Sequence, residues 1–156
     1  MPQKNKNKVA TGGAREHDYR NDCIAFNLRR TTRIVTRRYE ELMRPAGVTA
    51  FQFGALAALM SRPALPQLAF VDVFGMDAST VNRNIRTMAG KGLVRYTDDL
   101  RDSRKKHVAI TAKGRRAFEK AAPYWEQAQA ETQKMMTAFD WGHERAWLDA
   151  ISKGAS

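Results

Sequence analysis

Apolar residues recur along most of the chain at spacings of three and four, the period of amphipathic helices. From Tyr19 to Met43 there is no Pro or Gly, and Ile24, Leu28, Val35, Tyr39 and Leu42 trace one stripe of a long first helix. Pro45 and Gly47 end it. Thr49 is placed to cap a second helix running to about Met60, with Phe51, Phe53, Leu56 and Leu59 inside it and Pro63 breaking it. A short third helix is predicted from Pro66 to Phe74, closed by Gly75. Asp77 stands where a fourth, from about Ala78 to Gly90, needs its N-cap.

After Gly92 the period changes. LVRYTDD and KHVAIT read as short strands on either side of the charged turn RDSRK, which predicts a hairpin. Thr111 then caps a long helix on which Phe118, Ala121, Trp125, Ala128, Thr132, Met135 and Phe139 keep helical spacing, with a kink or short break expected at Pro123. Asp140 caps a last helix carrying Trp147, Leu148 and Ile151. Residues 1–18, rich in Lys, Asn and Gly, read as a disordered basic arm. The fold class that follows is mainly α with a small β-hairpin (α+β).

The fourth helix separates into two faces. At the helical repeat, Val81, Ile85, Met88 and Ala89 share one arc of about 100°. Ser79, Asn82, Arg83 and Arg86 share another, nearly opposite, and no Asp or Glu occurs from Ala78 to Thr97. A solvated helix usually mixes in carboxylates. Arg forks onto guanine O6 and N7 and Asn pairs with adenine N6 and N7, so this face suits base edges. A short helix, a Gly-Met-Asp turn and this helix together have the layout of a helix-turn-helix. The hairpin brings Arg101, Arg104, Lys105 and Lys106 to its tip, where such groups enter a minor groove or rest on phosphates.

The charge distribution strengthens that reading. The 156 residues carry 27 Lys+Arg and 16 Asp+Glu, a net charge of +11. Residues 20–44 hold +4 of it and residues 78–106 hold +5, so most lies in two short blocks rather than over the whole surface. A basic footprint of this kind calls for a polyanion.

Other function classes find little material. There is no apolar run of about 18 residues to span a membrane, and the first residues lack a secretory apolar stretch. The single cysteine, Cys23, forms no internal disulfide and fits a reducing cytoplasm. No Gly-rich phosphate loop, nucleophile elbow or HExxH or CxxC motif is present, and His17, His107 and His143 are scattered. Neither an enzyme nor a metal site or cofactor is expected.

From Asp22 to Phe139 these residues resemble the multiple antibiotic resistance regulator (MarR) family of bacterial winged helix-turn-helix proteins. The resemblance is carried by MDASTVNRNIRTMAGKGLV (Met76–Val94), similar to the recognition helix and its exit, and by DSRKKHVAITAKG (Asp102–Gly114), similar to the wing. It implies a winged helix-turn-helix over 45–111 and a helical dimerisation region from 19–44 and 112–156. It implies major-groove contacts from Ser79, Thr80, Asn82, Arg83 and Arg86, and a minor-groove Arg104 oriented by Asp102, with Arg101 and Lys105 beside them. Two departures stand out: Pro66, Phe70, Val71 and Val73 replace the usual polar positions of helix three, and Ala78 replaces an Arg common after the recognition-turn Asp.

The apolar stripes of the first and last helices exceed what a winged-helix core can cover, which predicts a homodimer reading a palindrome in duplex DNA. The family's habit of answering to aromatic anionic effectors points to Phe26, Arg30, Arg33, Phe51 and Phe70, with Arg37 and Phe53, as an effector pocket; the competing reading is that the phenylalanines are core. Some relatives sense hydroperoxides with a cysteine near the start of helix one, where Cys23 lies; the competing reading is a small apolar residue. A rival to the DNA reading is a winged-helix module for RNA or protein. Tyr96 alone is a poor stacking platform for RNA, which favours duplex DNA.

Overall fold

The computed structural model describes residues 23–98, 106–136 and 140–154. Along them run α1 (Ile24–Met43), a 3-10 turn (Arg44–Ala46), α2 (Ala50–Ser61), β1 (Ala64–Pro66), α3 (Ala69–Phe74), α4 (Ala78–Gly90), β2 (Val94–Asp98), β3 (Lys106–Ile110), α5 (Ala112–Met135) and α6 (Trp141–Gly154). The expected basic arm, 1–18, lies outside the described residues. Two compact units divide within α1, one ending at Ile34 and the other beginning at Val35.

The described part of the first unit is the opening of α1. Cys23 serves as its cap: the Phe26 N–H donates to Cys23 Sγ at 3.4 Å and the Asn27 N–H to the Cys23 carbonyl at 3.0 Å. Ile24, Phe26 and Ile34 are exposed on this stretch.

In the second unit the helices begin where short polar side chains can satisfy their first N–H groups. Thr49 and Gln52 form a reciprocal capping box at α2. Thr111 Oγ1 accepts the Gly114 N–H at α5 and donates to the Gly92 carbonyl at 2.7 Å, tying the helix start to the turn before β2. Asp140 Oδ1 accepts the Gly142 N–H at α6. α5 runs through Pro123 without a break, and Pro123 lies on its exposed side.

The sheet holds one strand more than the predicted hairpin. Its order is β1-β3-β2, all antiparallel, with Tyr96 opposite Val108 in the hairpin and Leu65 opposite Val108 on the other side. Helix three was expected to begin at Pro66. Instead Ala64, Leu65 and Pro66 pair with Ala109, Val108 and His107, and α3 keeps only six residues. Pro63 and Pro66 both favour extended backbone in the residue before them. Pro66, without an N–H, is tolerated on an edge strand, and Leu65 is buried between two exposed neighbours. Gly75 does end α3, in the left-handed conformation at φ 58°.

One core joins Leu56 and Leu59 of α2, Leu65 of β1, Phe70 of α3, Val81, Ile85 and Met88 of α4, and Val94 and Val108 of the sheet. A second gathers Met43, Ala46, Val48, Phe53 and Ala121 against Tyr39, Phe118 and Tyr124. Phe53 stacks on Phe118 at 4.9 Å and on Trp125 at 5.7 Å. The later part of α1 is bound to its neighbours by polar contacts. Arg38 pairs with Glu131, the Tyr39 hydroxyl donates to Gln129 Oε1 at 2.6 Å, and Glu40 Oε1 accepts the Ala50 N–H at 2.8 Å. Hydrogen bonds from Gln127 and then from Arg38 hold the Glu131 carboxyl below its ordinary range.

Candidate nucleic-acid interface

α4 presents its two faces as the spacing predicts. Val81, Ile85 and Met88 are wholly buried against the core, whereas Ser79, Asn82, Arg83 and Arg86 are exposed. The burial of one face fixes the rotation of the helix, so the polar side chains project from a rigid support rather than from a loop.

The start of α4 is organised by Asp77. Its Oδ1 accepts the Ser79 hydroxyl at 2.5 Å and the Thr80 N–H at 2.8 Å, and its Oδ2 accepts the Thr80 hydroxyl at 2.7 Å. The Ser79 hydroxyl first, then the Thr80 N–H and hydroxyl, hold the Asp77 carboxyl well below the usual carboxylate range. Both hydroxyls thereby spend their protons on the cap. What Ser79 and Thr80 offer outward is oxygen lone pairs, which suit the amino groups of cytosine or adenine better than phosphate oxygens.

Beyond the first turn the surface opens into a cleft of about 530 Å³ lined by Gln67, Asn82, Arg86, Tyr96 and Lys106. Among the described residues no carboxylate lines it. Gln67 Nε2 donates to Asn82 Oδ1 at 2.6 Å across the helix-turn-helix. Lys106, the first residue of β3, pairs with Asp98 at the end of β2, on the rung of the hairpin nearest its turn. Gln67 and Tyr96 are additions to the residues expected from sequence. Gln67 was hidden inside an apolar run, ALPQLAFV, where its polarity was the only local signal.

The predicted wing residues Arg101, Asp102, Arg104 and Lys105 lie outside the described residues. The residues proposed for an effector pocket are dispersed in role. Phe70 has no exposed surface, its ring 6.4 Å from that of Phe74, and Phe51 meets the same Phe74 ring at 4.4 Å. Phe26, Arg30 and Arg33 are exposed on the first part of α1, in the other unit. Cys23 is exposed. Among the described residues no group of His, Cys, Asp and Glu is arranged to hold a metal ion, and no helix is long and apolar enough to cross a membrane.

Comparison with known proteins places this geometry. The model of the MarR family matches residues 46–105. The transcriptional regulator MosR of M. tuberculosis, in a crystal structure in complex with DNA, is 31% identical, with 86% of this chain and 96% of that one covered and a TM-score of 0.76. BpsR of Bordetella bronchiseptica, in a structure concerned with regulation of its DNA binding by 6-hydroxynicotinic acid, is 25% identical over 85% of this chain and 98% of that one, with a TM-score of 0.66. The Escherichia coli transcriptional regulator HosA is 26% identical over 84 residues, 54% of this chain; the match spans 62% of the length of that curated relative.

Proposed function

Because the chain belongs to the MarR family, we propose that it is a repressor that binds a palindromic operator in duplex DNA as a homodimer and is released by a small aromatic or anionic effector. The observation that carries this reading is the exposed face of α4, which offers hydroxyl, amide and guanidinium groups without a carboxylate on a helix whose other face is locked in the core. The likeness to a DNA-bound relative at 31% identity supports the choice of DNA, and the effect of 6-hydroxynicotinic acid on BpsR supports release by a small ligand. The protein acts by binding rather than by catalysis, in the cytoplasm, where promoters are accessible. In this reading Ser79, Thr80, Asn82, Arg83 and Arg86 contact the major groove, Arg101, Arg104 and Lys105 of the wing approach the minor groove or the phosphates, and Asp102 orients Arg104.

Apolar surface supports the dimer. Trp147, Leu148 and Ile151 of α6 remain exposed in the single chain although they share one helical face. A two-fold pair would set its recognition helices about 34 Å apart, one turn of duplex.

Selection of bound sequences from random duplexes tests the proposal. An inverted repeat is expected, with duplex DNA outcompeting RNA of the same sequence and affinity falling steeply with salt as phosphate counterions are released. Equal binding to RNA, or enrichment of no repeat, would overturn it.

A further inference from the structure

We propose that Gln67, outside the recognition helix, is a specificity-determining residue that positions Asn82 to read one base pair; this rests on the DNA reading above. Gln67 is held through both of its backbone polar groups. Its N–H donates to the Lys106 carbonyl at 3.0 Å, at the start of β3, and its carbonyl accepts the Phe70 N–H at 3.3 Å, at the start of α3. The backbone is thus anchored between wing and helix-turn-helix. From that anchor the half-buried side chain reaches Asn82 Oδ1 at 2.6 Å.

The bond restrains a side chain that is otherwise free to turn. Asn82 is exposed, and an exposed carboxamide rotates readily about its last torsion. Held by Gln67, its plane is set before DNA arrives, which lowers the ordering cost of binding. The two amides also act as a unit. After the bond between them is made, the pair still holds free N–H donors and free carbonyl lone pairs, and reversing both amides leaves that inventory unchanged. A donor beside an acceptor is the complement of adenine N7 and N6 in the major groove. Arg86, one turn further along α4, lines the same cleft beside Asn82.

Gln67→Met keeps the length of the side chain and removes the hydrogen bond, and Asn82→Ala removes the reader. Both variants, their double variant and the parent chain are to be measured against duplexes carrying every base pair at each half-site position, with circular dichroism confirming the fold. The expected result is a loss of about tenfold in discrimination at one and the same base pair for each single variant, and no further loss in the double variant. Unchanged discrimination in Gln67→Met, or a loss spread equally over all sequences, overturns the positioning role while leaving DNA recognition standing. A parent chain with no sequence preference overturns both.

Discussion

Gly114 of α5 lies so close to the Leu93 carbonyl that a Cβ on it would stand 2.1 Å from that oxygen. The approach is what lets the start of α5 sit against the turn into β2, where Thr111 also binds the Gly92 carbonyl. Helix propensity alone favours Ala over Gly by about 1 kcal/mol. Gly114→Ala is nevertheless expected to destabilise the protein by about 1–3 kcal/mol, because backbone rather than a flexible side chain must yield. Gly90, near the end of α4, has open space where its Cβ would lie. Gly90→Ala is therefore expected to be neutral or stabilising. Denaturant unfolding of the two variants checks both, and equal stabilities would remove the steric account.

The cap at Asp77 makes a pH-dependent contribution with a definite sign. Its folded carboxyl titrates well below the ordinary value because Ser79 and Thr80 hydrogen-bond the charged form. A depressed folded pKa stabilises the fold above the unfolded value and loses that effect as the pH falls through the acid range. Asp77→Asn keeps a capping oxygen but not the charge. The melting temperature of the parent is expected to exceed that of Asp77→Asn near neutrality, and the difference to shrink as the pH falls below about 4. A difference that stays constant with pH would show that the charge contributes nothing.

The parts of this fold that were legible in the sequence are those fixed by neighbours along the chain. Thr49, Asp77 and Thr111 cap helices through groups two or three residues away, and α4 begins and ends where its pattern predicts. β1 was not legible, because a three-residue strand has no period of its own and is defined by His107, Val108 and Ala109, some forty residues later. The polar face of α4 was legible from spacing, but the Gln67–Asn82 bond was not, since it joins residues on separate elements. Phe70 shows the same limit: an aromatic residue at helical spacing suits a pocket wall or a core, and its complete burial beside Phe74 puts it in the core.

Self-association is expected to depend on α6. Trp147, Leu148 and Ile151 leave an apolar face on the surface of the second unit, and charge placed there would have to be desolvated in a dimer. Trp147→Glu combined with Ile151→Glu is expected to shift the protein from dimer toward monomer in sedimentation velocity at micromolar concentration. The helical content should change little, because these side chains belong to neither core of the single chain. A parent protein that sediments as a monomer would remove the dimer from the proposal.

Arg83 and Arg86 stand three residues apart on the exposed face of α4, and their consequences for binding should differ by what each touches. An arginine that forks onto guanine discriminates between base pairs, so its loss relaxes preference at one position. An arginine on phosphate contributes to every sequence equally and to the salt dependence. Arg86 lines the cleft beside Asn82 and Gln67, the amides proposed to read a base, and Arg83 lies outside that cleft. Arg86→Ala is therefore expected to reduce discrimination at a base pair next to the one read by Asn82, by about 1–3 kcal/mol. Arg83→Ala, measured in the same binding panel over a range of salt, separates the two roles. A selective loss marks a base contact, and a uniform loss with a salt slope shallower by about one marks a phosphate contact. If neither substitution changes affinity or preference, the exposed face of α4 is not the reading surface.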